Sequence, residues 1–322
     1  MKVPKNQTDS RPSRILAGDI GGTYSRLAIF SQQADGYELE RLETYLSPEH
    51  NGLAEVLASF FEEGREEVDA ACFGLPAPIR AGEVLPLTNL SWLIDLEKVL
   101  REIGTDRVAL INDAEATAVG IEELSESDLI CLQPGQADPA GNRVVVTVGT
   151  GLGVSALSPA GLTLATEAGH TTFSPRTKFD FELYASLHSM HGHVSWERVA
   201  SGMALPVIHA LLSPGQSLDA ADIVRRAPSD DLCARAVEIL RGYIGAAAGN
   251  VALTLMASGG LYLAGGVAGR VLGREKADRF LSAFCDKGRM RGLLECMPVF
   301  LVKSGNLALR GAAKTAVDRF ST

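Results

Sequence analysis

The stretch "LAGDIGGTYSRLAIF", residues 16 to 30, sets two apolar runs around an aspartate and a pair of adjacent glycines. The runs read as the two strands of a hairpin, with Gly21 and Gly22 in its turn. Turning the chain requires a glycine but no carboxylate emerging from the apolar strand, so Asp19 points to something held at the turn. Glycine has no Cβ in the way, and the main-chain N–H groups of Gly21, Gly22 and Thr23 can therefore aim at phosphate oxygens. Asp19, just before them, is placed to hold Mg²⁺ directly or through water.

The same design recurs at "RVVVTVGTGLGVSAL", residues 143 to 157, with Thr147 roughly where Asp19 stands in the first copy. Gly149, Thr150 and Gly151 form the second turn. Two such hairpins predict two related α/β halves facing each other across a ligand cleft, with one triphosphate gripped from both sides. Between them the pattern alternates short apolar strands and helical stretches, which makes the chain mixed α/β with strands first antiparallel, then parallel. "YELERLETY" is a further strand, "GLAEVLASFFEEG" an amphipathic helix over 52–64, and "DAACFGLPAP" a buried strand entering a Pro-rich loop. "DLEKVLREIG" is a helix ended by Gly104, and "RVALIND" a buried strand leading straight into the helix "AEATAVGIEEL". Several helices follow between residues 178 and 258, then the strands "GLYLAGGV" and "MPVFLVKS", then a last helix from about Asn306.

A chain of 322 residues has room for two cores, since single cores stop growing near ~250–300 residues. The net charge is -9, and no basic block interleaved with aromatics occurs, which argues against a nucleic-acid partner. No run approaches the ~18 apolar residues of a membrane span. Five scattered cysteines without CxxC spacing read as reduced thiols and predict a cytoplasmic protein. Residues 1–13 are polar, with no apolar stretch of the secretory kind, and are expected to fray.

Two common nucleotide motifs are excluded. No glycine turn carries the lysine of a P-loop. Gly149, Gly151 and Gly153 give G-x-G-x-G followed by a strand, where the dinucleotide fingerprint needs G-x-G-x-x-G before a helix. Gly265 and Gly266 end an apolar strand, where an adenine or ribose can approach the backbone; a plain strand-to-helix turn reads equally well from the residues.

"GDIGGT", "LINDAEATA", "VTVGTGLGV", "TEAGH", "VSWERVASG" and "LAGGV", in this order, resemble the bacterial glucokinase family of the hexokinase and actin-like ATPase superfamily. The likeness runs from about residue 14 to the closing "NLALRGAAKTAV". It implies two actin-like (ribonuclease H-like) domains, ATP and Mg²⁺ in the cleft, and phosphorylation of glucose at its 6-hydroxyl. The cofactor positions it implies are Gly18 to Thr23 (Gly18, Asp19, Ile20, Gly21, Gly22, Thr23), Gly149, Thr150, Gly151, Gly265 and Gly266, with Asp19 on the metal. The expected division is 14–120 plus 306–322 for the smaller domain and 121–305 for the larger, in a homodimer.

Asn112 and Asp113 close the strand "RVALIND" at its carboxyl end, where α/β sheets place ligands. The amide is suited to orient a sugar hydroxyl and the carboxylate to take its proton; an Asn-Asp helix cap explains the pair equally well. The resemblance decides for Asp113 as general base. It also assigns sugar contacts to Asn89, Asn112, Glu167, His170 and Glu197. As a sugar ligand, Glu197 is expected to matter for glucose and little for ATP affinity.

Tyr24, Ala168 and the "SGMA" stretch ending in Met203 and Ala204 depart from the family pattern, and leave exact hexose preference open. His188, His191 and His193 lack both the spacing of one helical face and a zinc-type cysteine cluster, so no metal is expected there. The competing readings are a non-catalytic sugar sensor on the same fold and a kinase for another hexose.

Overall fold

The computed structural model describes residues 12–33, 36–62, 64, 66–77, 79, 80, 83, 84, 87, 92–303 and 305–321. The chain divides into two compact units, Met1–Glu123 with Asn306–Thr322, and Leu124–Gly305.

In the first unit, β1 (Arg14–Ile20) and β2 (Tyr24–Gln33) form the opening hairpin, with Ile20 opposite Ser25 and Asp19 opposite Arg26. β3 (Gly36–Leu46) continues antiparallel beside β2. β4 (Ala70–Leu75) runs parallel to β1. A two-stranded ribbon, β5 (Ile79–Arg80) and β6 (Glu83–Val84), precedes β7 (Val108–Asn112), which lies parallel to β4. The sheet order is β3-β2-β1-β4-β7.

Strict alternation gives this sheet two apolar faces. Leu16, Ile20, Leu27, Ile29 and Phe73 pack on one side with Val56, Phe60 and Val99 from the helices Leu53–Phe60 and Leu96–Ile103. Ile15, Ala17, Ala28 and Cys72 pack on the other with Leu309, Ala312 and Ala316 of the helix Leu307–Phe320. That last helix also lies tightly against the helix Asp113–Gly120: a Cβ on Gly311 would stand 1.8 Å from the Ala116 carbonyl oxygen, so only glycine allows the contact.

In the second unit, β8 (Leu129–Gln133), β9 (Arg143–Val148), β10 (Leu152–Leu157), β11 (Thr163–Thr166), β12 (Gly260–Ala264) and β13 (Val299–Val302) form a sheet of order β11-β10-β9-β12-β13-β8. From β11 to β13 both the order and the strand directions repeat the first sheet; β8 is an added antiparallel edge. The repeat extends to single residues. Thr147 faces Gly153 and sits beside Ala264, as Asp19 faces Arg26 and sits beside Gly74. Helices including Asp231–Thr254 and Asp278–Cys285 enclose the core around Val144, Val146, Leu240, Leu263 and Phe284. Among the described residues no helix is long and apolar enough to cross a membrane.

Candidate functional site

The Gly21–Thr23 turn is strapped from the segment after β3. Ser47 Oγ donates to the Gly21 carbonyl at 2.6 Å, its own N–H donates to the Thr23 carbonyl at 3.0 Å, and Ser25 Oγ lies 2.9 Å from Ser47 Oγ. Both serines are buried. The N–H groups of Gly22 and Thr23 take no acceptor among the described residues, which suits a turn awaiting an anion. Tyr24 is 48% exposed, so its ring stands away from the core beneath the turn.

Asp19 ends up on the last part of β1 with its side chain 25% exposed and one oxygen 3.5 Å from Arg26 Nη1. Burial pushes its carboxyl above the usual carboxylate range, and the Arg26 charge opposes that rise. A carboxylate held against desolvation, with one cation 3.5 Å away among the described residues, is a fitting oxygen donor for a hard divalent ion.

The contacts of Asn112 and Asp113 are those of the capping reading. Asn112 caps the helix Asp113–Gly120, its Oδ1 accepting the Ala114 N–H at 2.9 Å, while its Nδ2 donates to the Ala77 carbonyl at 3.1 Å. Asp113 Oδ1 accepts the same Ala114 N–H at 2.8 Å. Capping thus fixes the backbone that presents Asp113 at the end of β7. The Asn89 expectation lies outside the described residues.

In the second unit, three of the expected residues come together: Glu167 and His170, three positions apart, and Glu197 from a separate segment. His170 Nε2 lies 3.7 Å from Glu167 Oε2, and His170 Nδ1 lies 3.9 Å from Glu197 Oε1. Glu197 is the inner member, 20% exposed, and its Oε2 accepts the Leu152 main-chain N–H at 3.0 Å. This bond reaches the turn Gly149–Gly151. A Cβ on Gly151 would stand 2.4 Å from Glu197 Oε2, so this glycine makes room for the carboxylate as well as for a ligand. Thr150 and Gly151 N–H groups take no acceptor among the described residues.

Two segments hold the cluster. Thr172 and Ser195 form a single antiparallel bridge, with Phe173 N–H donating to the Val194 carbonyl and Trp196 N–H to the Thr171 carbonyl, each at 2.9 Å. Ser195 also caps the helix Trp196–Val199 through the Arg198 N–H. His193 Nε2 donates to the His170 carbonyl at 3.1 Å, whereas His188 stacks on Tyr184. Sequence reasoning considered His193 only for metal binding. Its role in pinning the His170 turn had no local signal, and Ser47 had none either.

Gly265 follows β12 at φ +96°, and a Cβ there would stand 2.5 Å from the Val148 carbonyl oxygen. Beside it opens an apolar cavity of about 340 Å³ walled by Leu205, Ala221, Val224, Val267 and Val271, with Arg225 and Arg270 at its edge. Its volume lies within the range of small-molecule sites.

Whole-chain likeness agrees with this geometry. A family model described as Glucokinase matches residues 16–319. A glucokinase of Saccharophagus degradans is 34% identical over 310 residues, covering 92% of this chain and 96% of its own. The crystal structure of a glucokinase from an Antarctic psychrotroph superposes with a TM-score of 0.79 at 30% identity, covering 95% of this chain and 99% of that one. A glucokinase of Streptomyces griseus, solved with glucose and AMPPNP, shares the fold at a TM-score of 0.66 and 20% identity, covering 94% and 98%. With paired glycine turns on two sheets of one topology and the Glu167, His170 and Glu197 cluster behind the second, the chain belongs to the glucokinase family.

Proposed function

We propose that the protein transfers the terminal phosphoryl group of ATP to the 6-hydroxyl of glucose. The observation that carries this reading is the bond from Glu197 to Leu152. It joins a cluster of sugar-type acceptors and donors to a turn of phosphate-binding type. Glu167, His170 and Glu197 take hydroxyls of the hexose, and Asn112 orients the hydroxyl that reacts. Asp113 accepts the hydroxyl proton as the oxygen attacks, a contribution of roughly 10²–10⁴-fold. The remaining demand is positioning, because in-line phosphoryl transfer has little covalent chemistry for the protein to perform.

The turns Gly21–Thr23 and Gly149–Gly151 donate N–H groups to phosphate oxygens, and the cavity beside Gly265 and Gly266 takes the adenine. Asp19 is the residue that would hold Mg²⁺. When bound, the ion neutralises phosphate charge.

A coupled assay with ATP across a panel of hexoses tests the reading. Glucose is expected to give the highest kcat/KM. Glucose binding with no phosphorylation of any hexose would make the protein a sensor, and a higher kcat/KM for another hexose would move the substrate.

A further inference from the structure

A second cavity in the unit Leu124–Gly305 is lined by none of the residues assigned above to phosphoryl transfer. It measures about 650 Å³, and its walls come from the turn before the helix Lys178–His191, from the helix Asp231–Thr254 and from the helix Asp278–Cys285 with the residues beyond it. Small-molecule pockets span roughly 300–1,000 Å³. Four guanidinium groups line it, those of Arg176, Arg235, Arg279 and Arg291. In a chain of net charge -9 this concentration of positive charge calls for a reason.

Three carboxylates, Asp180, Glu238 and Asp286, line the cavity as well, and each already has a partner. Buried Asp180, on the cavity floor, accepts the Tyr243 hydroxyl at 2.8 Å and the main-chain N–H groups of Arg176 and Thr177 at 2.8 and 3.1 Å. Glu238 pairs with Arg241, which does not line the cavity. Asp286 lies 3.4 Å from Arg176, and Arg291 pairs with Glu295 at 3.2 Å. Arg235 and Arg279 have no carboxylate partner among the described residues. Lys287 feels the surplus: burial and then the Arg176 charge push its ammonium below the usual lysine value.

One guanidinium is seated by a feature of the backbone. Gly242 lies in the middle of the helix Asp231–Thr254, where glycine is unfavourable. A Cβ at this position would stand 3.0 Å from Arg279 Nε, so the missing methyl lets the guanidinium lie close to the helix. The lining in turn connects to the segment that carries Glu197. Tyr243 packs edge-on against Phe173 at 5.6 Å between ring centres, and Phe173 against Trp196 at 5.1 Å. Trp196 precedes Glu197, and Phe173 lies in the segment bridged to it.

We propose that this cavity is a regulatory site for a small phosphate monoester, held at its phosphate by Arg235 and Arg279 and along its carbon skeleton by Phe179 and Ile239. Planar guanidinium forks match phosphate oxygens two at a time, which a single ammonium does not. Occupancy shifts the Tyr243–Phe173–Trp196 stack and with it the segment that carries Glu197.

The test is calorimetric titration of the full chain with glycerol 3-phosphate, and separately with inorganic phosphate, while glucose and a non-hydrolysable ATP analogue saturate the phosphoryl-transfer residues. Saturable binding of glycerol 3-phosphate is expected, weakened roughly tenfold or more in the double variant R235Q/R279Q. The variant keeps the parent's glucose KM and kcat without the ester, and loses the change in glucose KM that the ester causes in the parent. No saturable binding, or equal binding by the variant, overturns the site. Binding that leaves the parent's glucose KM unchanged overturns its regulatory role. Equal affinity for inorganic phosphate overturns the role given to Phe179 and Ile239. The binding arm stands whether or not the protein phosphorylates glucose; that reaction serves only as the kinetic readout.

Discussion

The two oxygens of Glu197 face different neighbours: Oε2 accepts the Leu152 N–H at 3.0 Å, and Oε1 lies 3.9 Å from His170 Nδ1. One carboxylate therefore fixes the strand that leaves the glycine turn and also faces His170. Glu197→Gln retains an amide oxygen for Leu152 and loses the charge, worth roughly 1.5–3 kcal/mol in a hydrogen bond to a sugar hydroxyl. Its glucose KM is expected to rise at least about tenfold, with ATP KM little changed. Glu197→Ala loses the Leu152 bond as well and is expected to raise ATP KM too. Steady-state kinetics in both substrates separate the two effects. Equal behaviour of the two variants towards ATP would remove the link to the turn.

Asp113→Asn keeps an oxygen for the Ala114 N–H, so the helix start is preserved. Glucose binding by calorimetry should match the parent, while kcat falls by roughly 10²-fold or more. A folded variant within a fewfold of the parent would leave the proton without its acceptor.

The raised Asp19 carboxyl gives a pH dependence with a definite sign. An acid whose value is raised stays neutral to higher pH, and neutral Asp19 is a poor metal ligand. Activity at limiting Mg²⁺ should therefore fall, as pH is lowered, at a pH above the ordinary carboxylate range. Arg26 opposes the rise, so Arg26→Gln should move this acid limb to still higher pH. Folding responds in the opposite sense. The folded value lies above the unfolded one, so stability decreases as pH rises from the ordinary carboxylate value through the raised one. Asp19→Asn should accordingly be no less stable than the parent at neutral pH, yet inactive, and added glucose should not rescue it. Kinetic pH profiles and urea unfolding at two pH values check both signs.

Gly311→Ala places a methyl 1.8 Å from the Ala116 carbonyl and should force the two helices apart. Overpacking of this kind costs about 1–3 kcal/mol. The urea midpoint should fall, and kcat with it, since the displaced helix begins at Asp113. Gly292→Ala is the control: no atom lies within 4 Å of the added methyl, so a gain of about 0.4–1 kcal/mol is expected there.

Local rules carried much of the fold into the sequence. Asp95 caps its helix through the Lys98 N–H at 3.1 Å, and Gly104 ends it at φ 84°. Both residues mark that helix in the one-dimensional pattern, as the two glycine hairpins mark their sheets. The helix expected over 52–64 is shorter, Leu53–Phe60, with Phe61 at its C-cap outside the helical conformation at φ -95° and ψ 5°. β11 was illegible since Leu164 and Ala165 are exposed and the strand lacks alternation. The Glu167, His170 and Glu197 cluster shows in the residues as acceptors and donors, but its assembly rests on one bridge between Thr172 and Ser195 that leaves no periodic trace. Contacts that depend on absent methyls, at Gly151 and Gly242, are likewise invisible until the partner's position is known.

The helix Leu307–Phe320 belongs to the first unit, although the whole of Leu124–Gly305 lies between it and the rest of that unit. On the ribosome, synthesis is vectorial, so one face of the sheet, with Ile15, Ala17, Ala28 and Cys72, stays uncovered while the intervening residues are made. The second unit has all its strands before that helix emerges and can fold first. A message truncated anywhere in the last segment would leave a polypeptide with an open apolar sheet, a natural substrate for chaperones and proteases.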